Sequence, residues 1–207
     1  MQTPTQTLVI VVALLTTLAG GAVMPSTGSA NQMFASPSVM SELRGTRPGF
    51  TALPPDEQAI VYLWLQANCA VGAEDQRTQF VKLSTGVEAA LIESFRMGPP
   101  TALLTELADT RHRDFAAIKV RLDGEDSELF DPELRERLAG LSEDAYVKEG
   151  ISHTITSYRI AALDGLALIG SATTIAWLER TAPTLRDPDL IRAAERTRAT
   201  LRERIRN

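Results

Sequence analysis

The chain has one cysteine and two histidines in 207 residues, and 5% of its residues are aromatic. A single cysteine, Cys69, excludes an internal disulfide, so packing alone must hold the fold together. Lying in the apolar stretch from Tyr62 to Val71, it reads as a small buried side chain, with intermolecular pairing as the alternative. The histidines and the cysteine leave little material for a zinc site, which usually takes three or four N or S ligands, and no cofactor is expected. Scarce aromatics beside abundant Ala, Leu, Arg, Glu and Thr leave an aliphatic core that suits helices better than strands.

Catalytic signatures are absent as well. The chain contains no Walker loop, no Gly-x-Gly-x-x-Gly, no Gly-x-Ser-x-Gly elbow, no Ser-x-x-Lys and no His-Glu-x-x-His. His112 stands among Arg111, Arg113 and Asp114 and reads as solvated. His153 has Ser152 and Glu149 nearby, but the spacing sets up no nucleophile with an oriented base. Asp123, Glu125 and Ser127 alternate like the first ligands of a calcium loop. Glu128 at the sixth position and Leu134 at the twelfth break that pattern, which leaves a solvated insertion. A formal net charge of −5 argues against nucleic acid, whose binding needs a basic surface.

The first thirty residues carry no Asp, Glu, Lys or Arg, and Leu8 to Leu18 is a nearly unbroken apolar run of the length found in export signals. Small-residue clusters at Ala19–Ala22 and Ser26–Ala30 offer cleavage sites, and residues 1–30 read as a signal peptide for a periplasmic or secreted protein. The alternative is an uncleaved anchor facing out of the cytoplasm, with membrane contact only if this segment is retained. An anchor needs roughly 20 apolar residues, a length that Val9 to Met24 reaches only by counting Thr and Gly. Residues 31–53, rich in Ser, Pro, Gly, Met and Thr, read as a linker, and residues 54–207 as one folded domain.

Within that domain the apolar spacing is helical. Ile60, Leu63, Trp64 and Ala67 recur at i, i+3, i+4 and i+7 after Pro55-Asp56-Glu57. Further helices are predicted at Thr85–Met97, Thr101–Leu122 and Asp131–Leu141, bounded by Ser84-Thr85, Gly98-Pro99-Pro100 and Asp131-Pro132. In the C-terminal third, Arg159, Ala162, Leu163, Leu166 and Ile169 make one face of a helix that ends at Gly170, expected in the left-handed cap conformation. A helix at Ala172–Ala182 turns Ile175 and Leu178 inward. A third, opened by Asp187-Pro188-Asp189, carries the stripe Leu190, Ala194, Thr197, Leu201 and Ile205. Ala161, Ala162, Ala193 and Ala194 allow neighbouring helices to approach closely.

The run Arg159-Ile-Ala-Ala-Leu-Asp-Gly-Leu-Ala-Leu-Ile-Gly170, followed by a short helix and Asp187-Pro-Asp-Leu-Ile-Arg-Ala-Ala194, resembles a HEAT repeat. Shifts of 33 and 72 residues superpose parts of the chain on itself, and the resemblance to a HEAT repeat covers Tyr158 to about Leu201 well and Val87 to Leu107 poorly. The resemblance implies an all-α fold of short antiparallel hairpins stacked as a small α-solenoid. It brings no catalytic residues and implies a non-enzymatic surface for protein binding or scaffolding.

Charge is uneven. Residues 123–149 hold ten acids and three bases, whereas residues 180–207 hold eight arginines and four acids. Arg198, Arg202 and Arg206 recur every four residues on one face of the last helix, beside Glu195 and Glu203. Cations there complement the helix dipole and aid solubility; as a functional surface they would meet an acidic protein or membrane partner. These three arginines are the expected partner-binding residues, with an envelope-anchored structural protein as the second reading and a hydrolase with an unrecognised site as the third.

Overall fold

The computed structural model describes residues 39–40, 50–68, 86–124, 128 and 130–206. Among these there are seven α-helices and no strand: α1 Pro55–Ala67, α2 Gly86–Met97, α3 Thr101–Asp123, α4 Pro132–Gly140, α5 Glu143–Ile169, α6 Ala172–Thr181 and α7 Pro188–Arg206. The all-α class expected from the aliphatic composition is what the chain adopts. The signal-like run, Cys69 and most of the lead-in lie outside the described residues. No described helix is long and apolar enough to cross a membrane.

Local sequence explains most helix starts. Pro55 and Pro132 occupy first-turn positions, where a missing N–H costs nothing. Asp131, Ser142 and Ser171 each accept a backbone N–H from the first turn of α4, α5 and α6, satisfying donors that the helix itself cannot. Asp187 does the same for α7 with one oxygen, accepting from Asp189 N at 2.8 Å, and with the other accepts Thr156 Oγ1 at 3.2 Å, tying that helix start to α5.

α5 is the centre of the molecule. It packs against α1, α2, α3 and α7, while α1 packs on α2 and α6 on α7. Its buried residues Tyr158, Ala161, Ala162, Leu163 and Leu166 join Val61, Tyr62 and Leu63 of α1, Leu91 and Phe95 of α2, Leu178 of α6 and Leu201 of α7 in one core. Phe95 meets Trp177 edge-on at 5.2 Å, a favoured aromatic geometry. All four alanines read as close-packing positions are buried, and α5 and α7 lie against each other, stitched by Thr197 Oγ1 donating to Leu163 O at 3.0 Å.

Several expectations are corrected. The helix through Arg159 begins at Glu143 and runs 27 residues, and α3 runs 23, so the helices are not uniformly short. With four helices gathered around α5, its core contacts extend beyond its neighbours in sequence. The core also reaches upstream of Pro54: Val39 and Phe50 are buried, and Gln58 Nε2 donates to Phe50 O at 3.1 Å. Ile205 is 51% exposed, because α7 runs past the end of the core there. Gly170 is extended, with φ −60 and ψ 158. Its role is close approach, since a Cβ would stand 2.5 Å from Leu166 O and 2.8 Å from Thr174 Oγ1. Among the described residues the left-handed glycine is Gly98, φ +77, which ends α2 as a helix-terminating glycine commonly does.

Candidate functional site

α6 and α7 leave between them a groove of about 290 Å³. Leu178, Ala182, Ile191 and Ala194 give it apolar walls, and Glu179, Glu195 and Arg198 bring charge to it. Leu178 and Ala194 are buried, whereas both glutamates are exposed and Arg198 is half-buried. The groove therefore combines an apolar base with an ionic edge, the combination found where a partner side chain is seated.

The three arginines expected to act together have three different surroundings. Arg198 lines the groove. Arg202 Nη2 forms an ion pair with Glu179 Oε1 of α6 at 2.8 Å, both side chains being more than half exposed. Arg206 stands exposed near the end of α7. Sequence reasoning passed over Arg204, which reaches back to the carbonyls of Ala167, Leu168 and Gly170. A guanidinium placed there satisfies carbonyls that the end of α5 leaves without helical partners and complements its dipole.

A second polar cluster is buried. Glu88, in the first turn of α2, is 8% exposed. Its Oε1 accepts Ser171 N at 2.9 Å, Ser171 Oγ at 2.9 Å and Thr174 Oγ1 at 2.5 Å. Burial pushes its pKa up, but the hydrogen bonds from Thr174 and Ser171 outweigh that and hold the carboxyl below its ordinary value. The carboxylate thus sits at the start of α6, where a helix favours negative charge, and locks α2 to α6. Every donor it meets is a structural group of this chain, so its chemistry is that of a clamp.

The histidines lie apart. His112 Nδ1 is 2.8 Å from Glu143 Oε1, and both side chains are about half exposed. His153 is exposed on α5 and lines a separate pocket with Arg111, Arg137, Tyr146, Glu149 and Gly150. Among the described residues no group of three or more His, Cys, Asp or Glu is gathered as a metal site would require. Burial drives the Tyr158 phenol far above its ordinary pKa, opposed by Ser94. Its hydroxyl has no hydrogen-bond partner of good geometry.

The class that fold and surfaces define is an all-α domain organised around one long helix, with grooves between its helices. No family, no curated protein and no solved structure matches the chain.

Proposed function

We propose that this chain is a non-enzymatic protein-binding domain that works outside the cytoplasm and takes its partner at the α6–α7 groove. The observation that carries the reading is the apolar groove with Arg198 at its edge and exposed Arg206 on the same helix. Arg202 is paired with Glu179, which leaves Arg198 and Arg206 against Glu195; the two arginines would orient an acidic group while apolar contact supplies adhesion. The HEAT-like sequence pattern of residues 158–201 belongs to the same reading, and α7 packs on both α5 and α6. Export rests on the uncharged, apolar N-terminal run.

Capture from envelope extract with wild type and an Arg198→Gln, Arg202→Gln, Arg206→Gln variant tests the proposal. The captured partner should bind the variant more weakly and with less dependence on salt, because screened attraction is what the arginines contribute. Stability should change by less than about 1 kcal/mol, as for exposed charges. Equal binding by both proteins would move the functional surface elsewhere. Fractionation and N-terminal sequencing test the location: a mature chain beginning between about Gly20 and Ser36 agrees with cleavage, and an intact Met1 in the membrane fraction means an anchor.

A further inference from the structure

At the other end of α5, between α3 and α4, lies a pocket of about 180 Å³ lined by Arg111, Arg137, Tyr146, Glu149, Gly150 and His153. We infer that it is a binding site for a single carboxylate group, with Arg111 as its anchor. This inference does not depend on the α6–α7 groove.

Arg111 is held in place by Gly150 and Tyr146 of α5. It crosses α5 at Gly150, where a Cβ would come within 3.0 Å of its Nε and 3.3 Å of its Cδ. A glycine inside a helix is unfavourable by about 1 kcal/mol relative to alanine, and here the space it leaves is filled by the arginine. The guanidinium carbon is 5.9 Å from the Tyr146 ring centroid, and Nη1 is 3.5 Å from the Tyr146 hydroxyl. Tyr146 is fixed in turn by Phe115, ring to ring at 5.4 Å. Arginine in such a setting is pre-oriented before any ligand arrives.

What it lacks is an acceptor equal to its charge. Neighbouring groups have one: Arg137 pairs with Glu149 at 3.4 Å and His112 with Glu143 at 2.8 Å. Arg111 is half-buried and has no carboxylate partner among the described residues, although residues 123–149 contain ten acids. A guanidinium has five donors in a planar fork, and only one long contact is used here. That fork matches the two oxygens of a carboxylate.

Charge and size narrow the ligand. Two arginines against Glu149 leave one positive charge in the pocket, which suits a monoanion; a phosphate dianion would meet Glu149 with its second charge. The volume is below the roughly 300–1,000 Å³ of sites that enclose a drug-sized ligand. A small monocarboxylate, or one carboxylate of a larger molecule, fits.

The test is a titration of the full chain at constant ionic strength with propionate, propionamide and inorganic phosphate, read by the Tyr146 ring resonances. Propionate should saturate the site, whereas propionamide, its uncharged isostere, should not. Arg111→Lys keeps the charge and loses the fork, and should weaken propionate at least about tenfold, as expected for one charge-assisted bidentate contact. Gly150→Ala, which intrudes on the guanidinium without removing it, should also weaken binding while helix content by circular dichroism stays unchanged; it decides the matter if Arg111→Lys does not fold. Tighter binding of phosphate than propionate, or equal propionate binding by wild type and Gly150→Ala, would overturn the inference.

Discussion

Glu88 on α2 and Thr174 on α6 are 86 residues apart in sequence, and their side chains meet at 2.5 Å with the carboxylate accepting the hydroxyl. Glu88→Ala strands the Ser171 and Thr174 donors and should destabilise the domain by about 2–4 kcal/mol, as when one partner of a buried charged hydrogen bond is lost. Chemical denaturation at neutral pH measures it.

The same carboxylate makes stability depend on pH. Its folded pKa lies below the ordinary 4.5, so its contribution is complete above 4.5 and is lost as pH falls through the lower folded value. Melting temperature should drop below about pH 4.5, and Glu88→Gln should flatten that part of the curve relative to wild type. A curve of unchanged steepness in Glu88→Gln would assign the acid sensitivity to other carboxyls.

Leu163 is fully buried on α5 in the common core. Leu163→Ala should therefore cost about 2–5 kcal/mol, read as a shift of the urea midpoint with little change in slope. A shift near zero would show that the α5–α7 seam is not part of the cooperative core.

Three glycines should respond differently to alanine. Gly170→Ala drives a Cβ to 2.5 Å from a backbone oxygen and should destabilise by about 1–3 kcal/mol, as overpacked sites do. Gly98→Ala should lose about 1–2 kcal/mol to the left-handed backbone. At Gly140 a Cβ meets nothing within 4 Å, so Gly140→Ala should be neutral or mildly stabilising. Thermal melts of the three rank the effects.

Arg204→Gln should lower stability by about 1–2 kcal/mol because the carbonyls ending α5 lose a charged donor, whereas Arg206→Gln should leave the melting temperature unchanged. This pair separates the structural arginine of α7 from an exposed one. Tyr158→Phe should alter stability by less than about 1 kcal/mol, since the phenol hydroxyl removed is poorly satisfied.

How much was legible in the sequence follows from the range over which each signal acts. Asp131-Pro132 and Asp187-Pro188 announced helix starts because a cap and its N–H partners are two or three residues apart. The first half of α5 was missed because only Val147 and Thr154 are buried between Glu143 and Ser157, too few to draw an apolar stripe. Gly170 was assigned the wrong reason, since a glycine after a helix marks either a left-handed turn or a close approach, and sequence does not separate them. The four-residue spacing of Arg198, Arg202 and Arg206 was readable, but the pairing of Arg202 with Glu179 depends on how α6 lies on α7. Neither the Glu88 clamp nor the Arg111 pocket could be read, because their partners lie 83 and 35 residues away and carry no local motif.

α5 also fixes a length. From Gly150, where Arg111 crosses it, to Ile169, near the carbonyls that Arg204 holds, the helix axis advances roughly 28 Å at about 1.5 Å per residue. The two ends cannot move toward each other without breaking the helix that carries the core. A molecule that touched both the Arg111 pocket and the α7 end would gain avidity only if its own contact points were spaced to match, and a shorter one would have to choose between them.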